Sequence, residues 1–355
     1  MSANVHRTAQ TEKNRPWLCF GIAFALIFSV FFLILSLTTP LLDPLRRQML
    51  SPAELPVADG TFAALDGRLL CVAEHALFVY DADGTAAEYP IEFAAPRFRS
   101  CGERLLVFDA AGQNLALWSD SPAPNFCAAD GALFDASVAG DGAYALLFDA
   151  PDSRAVLEVY GTDGALRFRH RSKTAFLNTC ALSPDAALVA VTALGQERLD
   201  FQSTLCLYRT DAEEAPTTWP LDGVPLTSCF LSNDTLCVST DTGLYLYRMD
   251  GTLLHALPAG RLLAHDGRSI LAAAGGTVQV LSADGMQTAF ASVDAEPQQG
   301  ALCGAYLALQ FDDSLRVMTR ELSPCGSTAP SEAFCLCPDG TVWCISGGTA
   351  ARYIP

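Results

Sequence analysis

Positive charge is in short supply in this chain: 22 Lys and Arg stand against 39 Asp and Glu, a net charge of −17 at pH 7. Five of the cations and two of the acids fall in the first 50 residues, so residues 51–355 hold 17 and 37, a net of −20. A field of that sign repels phosphate, which excludes nucleic acid and anionic lipid as general partners. Histidine is as scarce; in the same stretch only His75, His170, His255 and His265 occur, far apart in sequence. His265 beside Asp266 reads as a surface turn rather than an acid-base pair. No Gly-x-Ser-x-Gly elbow, His-Glu-x-x-His helix or phosphate-binding glycine loop is present, so the chain reads as a non-enzyme with no cofactor. Cys335-x-Cys337 with Cys344 lacks the spacing, the second ligand pair and the nearby histidine of a zinc site, so no metal is expected either.

A membrane-length hydrophobic run occurs once. Residues 17–37 form 21 residues without a charge, enough at about 1.5 Å per residue to cross a hydrocarbon core of about 30 Å. Leu37-Thr38-Thr39-Pro40 offers no small-x-small exit for a signal peptidase, so the segment is expected to stay as a transmembrane helix. Arg7, Lys13 and Arg15 precede it and Arg46 and Arg47 follow it, a bias that leaves the N-terminus inside and the bulk of the chain outside the cytoplasmic membrane. The expected organisation is a cytoplasmic tail at 1–16, a single span at 17–37, a Pro-containing stalk at 38–52, and one large domain at 53–355.

That domain is repetitive. An apolar strand ends in an aromatic or large residue at Tyr80, Trp118, Tyr160, Tyr208, Tyr247, Leu281, Met318 and Tyr353. From Tyr80 to Tyr353 is 273 residues, and seven intervals average 39, close to the roughly 40 to 50 residues of a four-stranded propeller blade. Eleven Asp-Gly pairs punctuate the strands; Gly tolerates positive φ and Asp bonds its local backbone, the chemistry of tight hairpins. The fold class is therefore all-β: an eight-bladed β-propeller, with seven blades as the alternative. The last repeat supplies only three strands before the chain ends, and residues 53–57, which have no other role, are expected to add the fourth and close the ring. Pro56 suits an outer, edge position there.

Leu182-Ser183-Pro184-Asp185, followed by Leu188-Val189-Ala190-Val191, resembles the Ser-Pro-Asp-Gly hairpin of bacterial translocation-protein-like propeller repeats, with Ala186 in place of glycine. Pro338-Asp339-Gly340-Thr341 resembles another copy. The period is that of WD-repeat-like propellers, although their Gly-His and Trp-Asp pairs are absent, as is the tryptophan-docking motif of quinoproteins. One N-terminal helix followed by a Cys-bearing, repeat-built domain also resembles an uncharacterised family of single-pass propeller proteins from Gram-positive anaerobes. The resemblance implies fold and says little about function.

Two residue sets stand out. Cys19 lies in the apolar segment and twelve further cysteines lie in the repeats. They read either as small apolar core residues or, in an oxidising compartment, as disulfides. Counting across the Asp339-Gly340 turn makes Cys335 and Cys344 facing neighbours, the expected pair if one bridge forms. Arg167, Arg169, Arg171 and Lys173 alternate along one strand, which puts all four on one face. They form either a docking stripe for an anionic partner or protection for a sheet edge. The functional expectation is a membrane-tethered binding or scaffold module for a protein or glycan. An envelope hydrolase or lyase using channel carboxylates, and a thiol-based redox sensor, are the alternatives.

Overall fold

The computed structural model describes residues 55–353, apart from positions 58, 66, 82–85, 119–122, 198–199 and 213. The expected tail, membrane segment and stalk lie outside the described residues. Among the described residues no helix is long and apolar enough to cross a membrane.

Among the described residues thirty-two strands form eight antiparallel four-stranded sheets. Blades 1 to 7 are built from residues 61–90, 96–128, 133–172, 176–221, 225–258, 261–292 and 299–328, each a simple up-and-down meander. In blade 5 the order from inside out is Pro225–Ser232, Thr235–Thr240, Gly243–Arg248 and Leu253–Pro258. Blade 8 combines Ala333–Leu336, Val342–Ser346 and Thr349–Tyr353 with Leu55–Pro56 as its outermost strand. Leu55 pairs with Ala350 and Pro56 with Thr349, and the Val57 N–H donates to the Gly348 carbonyl at 3.0 Å. The ring is thus closed by strand exchange, as the missing fourth strand required, and Pro56 sits on the edge that spares it a ladder hydrogen bond.

Burial explains the repeat. Among the described residues eight hydrophobic clusters are present, each formed between two neighbouring blades; an open arc of eight blades would have seven. Each of the eight signature residues fills the seam between its own blade and the preceding one. Tyr80 packs with Trp343 and Cys335 across the closing seam between blades 8 and 1. Trp118, Tyr160, Tyr208 and Tyr247 do the same at the next four, and Leu281, Met318 and Tyr353 at the last three. A large side chain is needed at that register because the wedge between radially splayed sheets is wide there, and each fully buried residue of this size contributes about 1.5–3 kcal/mol.

The turns obey local chemistry. The side chains of Asp141, Asp163, Asp250, Asp266 and Asp339 each accept the backbone N–H two residues on, at 2.9 to 3.1 Å. This is the Asx turn that recommends Asp before Gly. Gly340 takes φ 83°, and Ala186, at the position where the resembling motif has glycine, is itself left-handed at φ 57°. The Ser183-Pro184-Asp185 turn holds Ala186 there: Ser183 Oγ donates to Asp185 Oδ1 at 2.7 Å and accepts from the Leu188 N–H at 2.9 Å.

Candidate functional site

Each blade's inner strand begins on one face of the ring, here the entry face, and ends on the other, the exit face. At the entry face, blade 4 departs from its neighbours. Its second and third strands, Leu188–Glu197 and Asp200–Arg209, are ten residues each, against five to eight elsewhere, and they pair without interruption out to Glu197 and Asp200. This lengthened hairpin carries Phe201, 77% exposed. On the same rim are Phe176, 55% exposed, Leu226, 61% exposed, and the exposed Val224. A groove of about 670 Å³ runs beneath, lined by Phe201, Thr204, Trp219, Leu221 and Val224 among others. Arg154 lies 4.4 Å over the Phe176 ring and frames one side. Exposed apolar side chains gathered in this way mark interaction surfaces, whereas single ones are ordinary.

The cationic stripe is divided by its surroundings. It lies on Leu166–Ser172, the outermost strand of blade 3, with Lys173 just beyond the strand's end. Phe168 and His170, on the alternate face, pack on Tyr208 of blade 4, with ring centroids 5.5 and 4.8 Å away. Arg169 Nε donates to Glu158 Oε1 at 2.5 Å, and Glu158, 1% exposed, also accepts from the Tyr160 hydroxyl. Arg169 is therefore the counter-ion of a buried carboxylate and is not available to a partner. Arg167 sits over Gly161 beside Asp163. Arg167 and Arg169 line an exit-side cleft of about 490 Å³ with Thr210 and Asp211. Arg171 and Lys173 remain exposed and make no ion pair among the described residues, next to the apolar rim that begins at Phe176.

Around the axis the inner strands of blades 2 to 6 converge on a cavity of about 30 Å³, room for one water-sized molecule, with Arg99, Cys101, Cys180, Cys229 and His265 in its wall. Arg99 Nη2 donates to Asp135 Oδ1 at 2.7 Å, and Asp135 Oδ2 accepts from the Cys180 N–H at 3.0 Å. One carboxylate thereby ties blades 2, 3 and 4. Thr179 Oγ1 lies 2.9 Å from Ser228 Oγ and links blades 4 and 5. Arg320 of blade 7 bonds Asp266 and, at 3.0 Å, Ser269 Oγ of blade 6.

No disulfide joins the cysteines of the repeats among the described residues, and ten of them fall into two kinds. Burial pushes the Cys71 thiol up to about 11 and Cys337 and Cys344 up to about 12, and it raises Cys335, Cys180, Cys101, Cys206 and Cys303 as well. These are small core hydrophobes. The expected pairing of Cys335 with Cys344 does not hold: Cys335 faces Trp343 and Cys344 faces Phe334. The turn takes one residue more than counted, with the Cys337 N–H donating to Thr341 at 2.8 Å. The two thiols consequently lie on opposite faces of blade 8, one in the seam to blade 1 and the other in the seam to blade 7.

Cys229 and Cys237 differ. They are directly opposite on adjacent strands of blade 5, in the same buried cluster. Cys229 also borders the channel cavity beside His265. Hydrogen bonding from the Cys237 thiol, followed by the charge of His265, carries Cys229 well below the usual thiol value despite its burial. The same bond and burial raise Cys237, while Cys229 raises His265 against burial. His265 Nδ1 is buried without a hydrogen-bond partner among the described residues. It does not occupy the surface turn expected from its sequence, and Asp266 beside it is committed to Arg320.

The family of unknown function DUF5711 matches over residues 54–256. Among solved structures, BamB from Moraxella catarrhalis is similar at 12% identity and a TM-score of 0.52, over 86% of this chain and 99% of that one. The C-terminal WD40 domain of Sif2 is similar at 11% identity and a TM-score of 0.59, over 86% and 98%. Because 820 solved chains match and these identities are low, the likeness establishes the propeller fold and leaves function open. No curated protein sequence matches the chain.

Proposed function

The chain belongs to the DUF5711 family of unknown function, and from that premise we propose that it is a non-catalytic binding module, tethered by residues 17–37 outside the cytoplasmic membrane, that docks a protein partner on its entry face. The observation that carries this reading is the rim of Phe176, Phe201, Val224 and Leu226 over a groove of about 670 Å³. A rigid ring spends no ordering entropy on presenting such a surface, and the lengthened blade 4 hairpin extends it. Arg171 and Lys173 on the same rim favour a partner segment that is apolar with acidic flanks, which an ectodomain of net −20 would otherwise repel.

The test is site-specific photo-crosslinking in the full chain in native membranes. A photoreactive side chain at position 201 is expected to yield one defined protein adduct, and the same group at Met286, on the exit face, none. Leu226→Asp is expected to abolish the adduct while leaving the melting transition unchanged, since Leu226 is largely in solvent. Equal labelling from both positions, or none from 201, overturns the assignment.

A further inference from the structure

We propose that Cys229 and Cys237 form a peroxide-responsive dithiol, in which Cys229 is the attacking sulfur, His265 its proton acceptor and Cys237 the resolving thiol. The geometry has three parts. Cys229 and Cys237 are a directly opposed cross-strand pair; such residues hold their Cβ atoms about 4.5–5.5 Å apart, within an approach on the order of 1 Å of disulfide geometry. Both thiols lie on the same face, in the one cluster between blades 5 and 6, so closure requires no strand to turn over. Cys229 also touches the channel cavity, whereas Cys237 is wholly enclosed, 0% exposed against 6% for Cys229. Only the first sulfur can meet an entering molecule.

The size of that cavity selects the oxidant. At about 30 Å³ it matches a molecule of the dimensions of water or hydrogen peroxide and not a disulfide-bearing peptide. His265 borders the same space with a buried, unpartnered ring nitrogen, a proton acceptor beside a thiol. The charged groups around it are committed: Arg99 to Asp135, and Asp266 to Arg320. The lowered Cys229 and raised His265 have the directions expected of a thiolate facing an imidazolium.

The chemistry balances as follows. Cys229 passes its proton to His265, and the thiolate attacks one peroxide oxygen. The O–O bond breaks, Cys229 becomes a sulfenic acid, and the departing hydroxide takes the proton from His265 to leave as water. Cys237 sulfur then attacks Cys229 sulfur: the S–S bond forms, the S–O bond breaks, and the leaving hydroxide takes the Cys237 proton as a second water. Two electrons pass from the two sulfurs to one hydrogen peroxide. The bridge ties the inner strand of blade 5 to its neighbour at the channel wall, and an added dithiol reverses it.

The test uses the reduced full-length protein titrated with hydrogen peroxide, then alkylated under denaturing conditions and digested with trypsin. Residues 210–248 form one tryptic peptide containing Cys229 and Cys237 and no other cysteine. At one equivalent of peroxide this peptide is expected to appear unalkylated and lighter by two hydrogens, with Cys335, Cys337 and Cys344 still alkylated. In Cys237→Ala the sulfenic acid has no resolving thiol, and dimedone is expected to trap it on Cys229. His265→Gln is expected to slow oxidation by at least about tenfold, judged on a variant with unchanged circular dichroism. Oxidation of the closing-seam thiols as fast as that of the pair, or absence of a dimedone adduct on Cys229 in Cys237→Ala, overturns the proposal.

Discussion

Blade 8 and blade 5 each carry cysteines on facing strands, and Cys229 of blade 5 differs in character from the blade 8 thiols. In blade 8, Cys335 meets the Trp343 and Ile345 wall and Cys337 is fully enclosed, so burial dominates and the neutral thiol is favoured. In blade 5, Cys229 is equally removed from bulk solvent but has a second thiol and an imidazole as neighbours, and these shift it down rather than up. Burial alone therefore does not set the reactivity of a propeller cysteine. What sets Cys229 apart is the Cys237 thiol together with the charge of His265.

The largest effect that would sharpen this contrast comes from removing residues 338–355. These residues supply two strands of blade 8, one of which receives Leu55–Pro56, and with them Trp343, Ile345 and Ala350 of the closing seam. The truncated chain is expected to lose its cooperative melting transition, whereas removing the blade 5 thiols would not; an unchanged scanning-calorimetry endotherm in the truncated chain would refute closure by strand exchange.

Alkali gives the next largest effect. The folded thiols of Cys71, Cys337 and Cys344 are raised from 9.0 to about 11, 12 and 12, so above pH 9 the unfolded chain binds fewer protons than the folded one. Their contribution to stability is complete below pH 9 and declines as pH rises towards 11 to 12, at about 1.4 kcal/mol per pH unit for each such thiol. Urea midpoints measured from pH 8 to 11 are expected to fall progressively. Cys71→Ala with Cys344→Ala should flatten that slope, and Cys229→Ala should not. A slope insensitive to the first pair of substitutions would break the distinction.

Smallest is the cost of changing sulfur to oxygen. Cys337→Ser buries a hydroxyl in the closing seam and is expected to cost about 2 kcal/mol. Cys229→Ser is expected to cost less than about 1 kcal/mol, because His265 and Cys237 offer the hydroxyl partners. Equal costs from chemical denaturation would mean that the two environments are alike.

Much of the architecture was legible in the chain itself. The repeat of large residues from Tyr80 to Tyr353 marks the seams, since each wedge between blades demands the same bulk at the same register. The shortage of one strand in the last repeat led to residues 53–57, because an unpaired edge must be covered. The stripe from Arg167 to Lys173 was visible as alternation, but its division was not. Arg169 belongs to Glu158, a contact between neighbouring strands that no local spacing announces. The lengthened blade 4 hairpin that carries Phe201, with Phe176 and Leu226 gathered on the same rim, was not legible in the spacing of the repeats.

One-residue register shifts account for the thiols. Counting across the Asn233-Asp234 turn places Ser232 opposite Thr235, as observed, and would have set Cys229 against Val238; a bulge between Phe230 and Ser232 sets it against Cys237 instead. In blade 8 the extra turn residue moved Cys344 from Cys335 to Phe334. Such a shift transfers every side chain beyond it to the other face.

The amino-acid order by itself determined an all-β ring, its period, its acidic surface and the place where its ends meet, because these depend on residue type and spacing summed over many positions. Which cysteines face each other, which cations are already paired and what lines the channel were decided only by the tertiary structure. Each of those depends on single bulges and on side chains brought together from different blades, where one residue of register reverses the outcome.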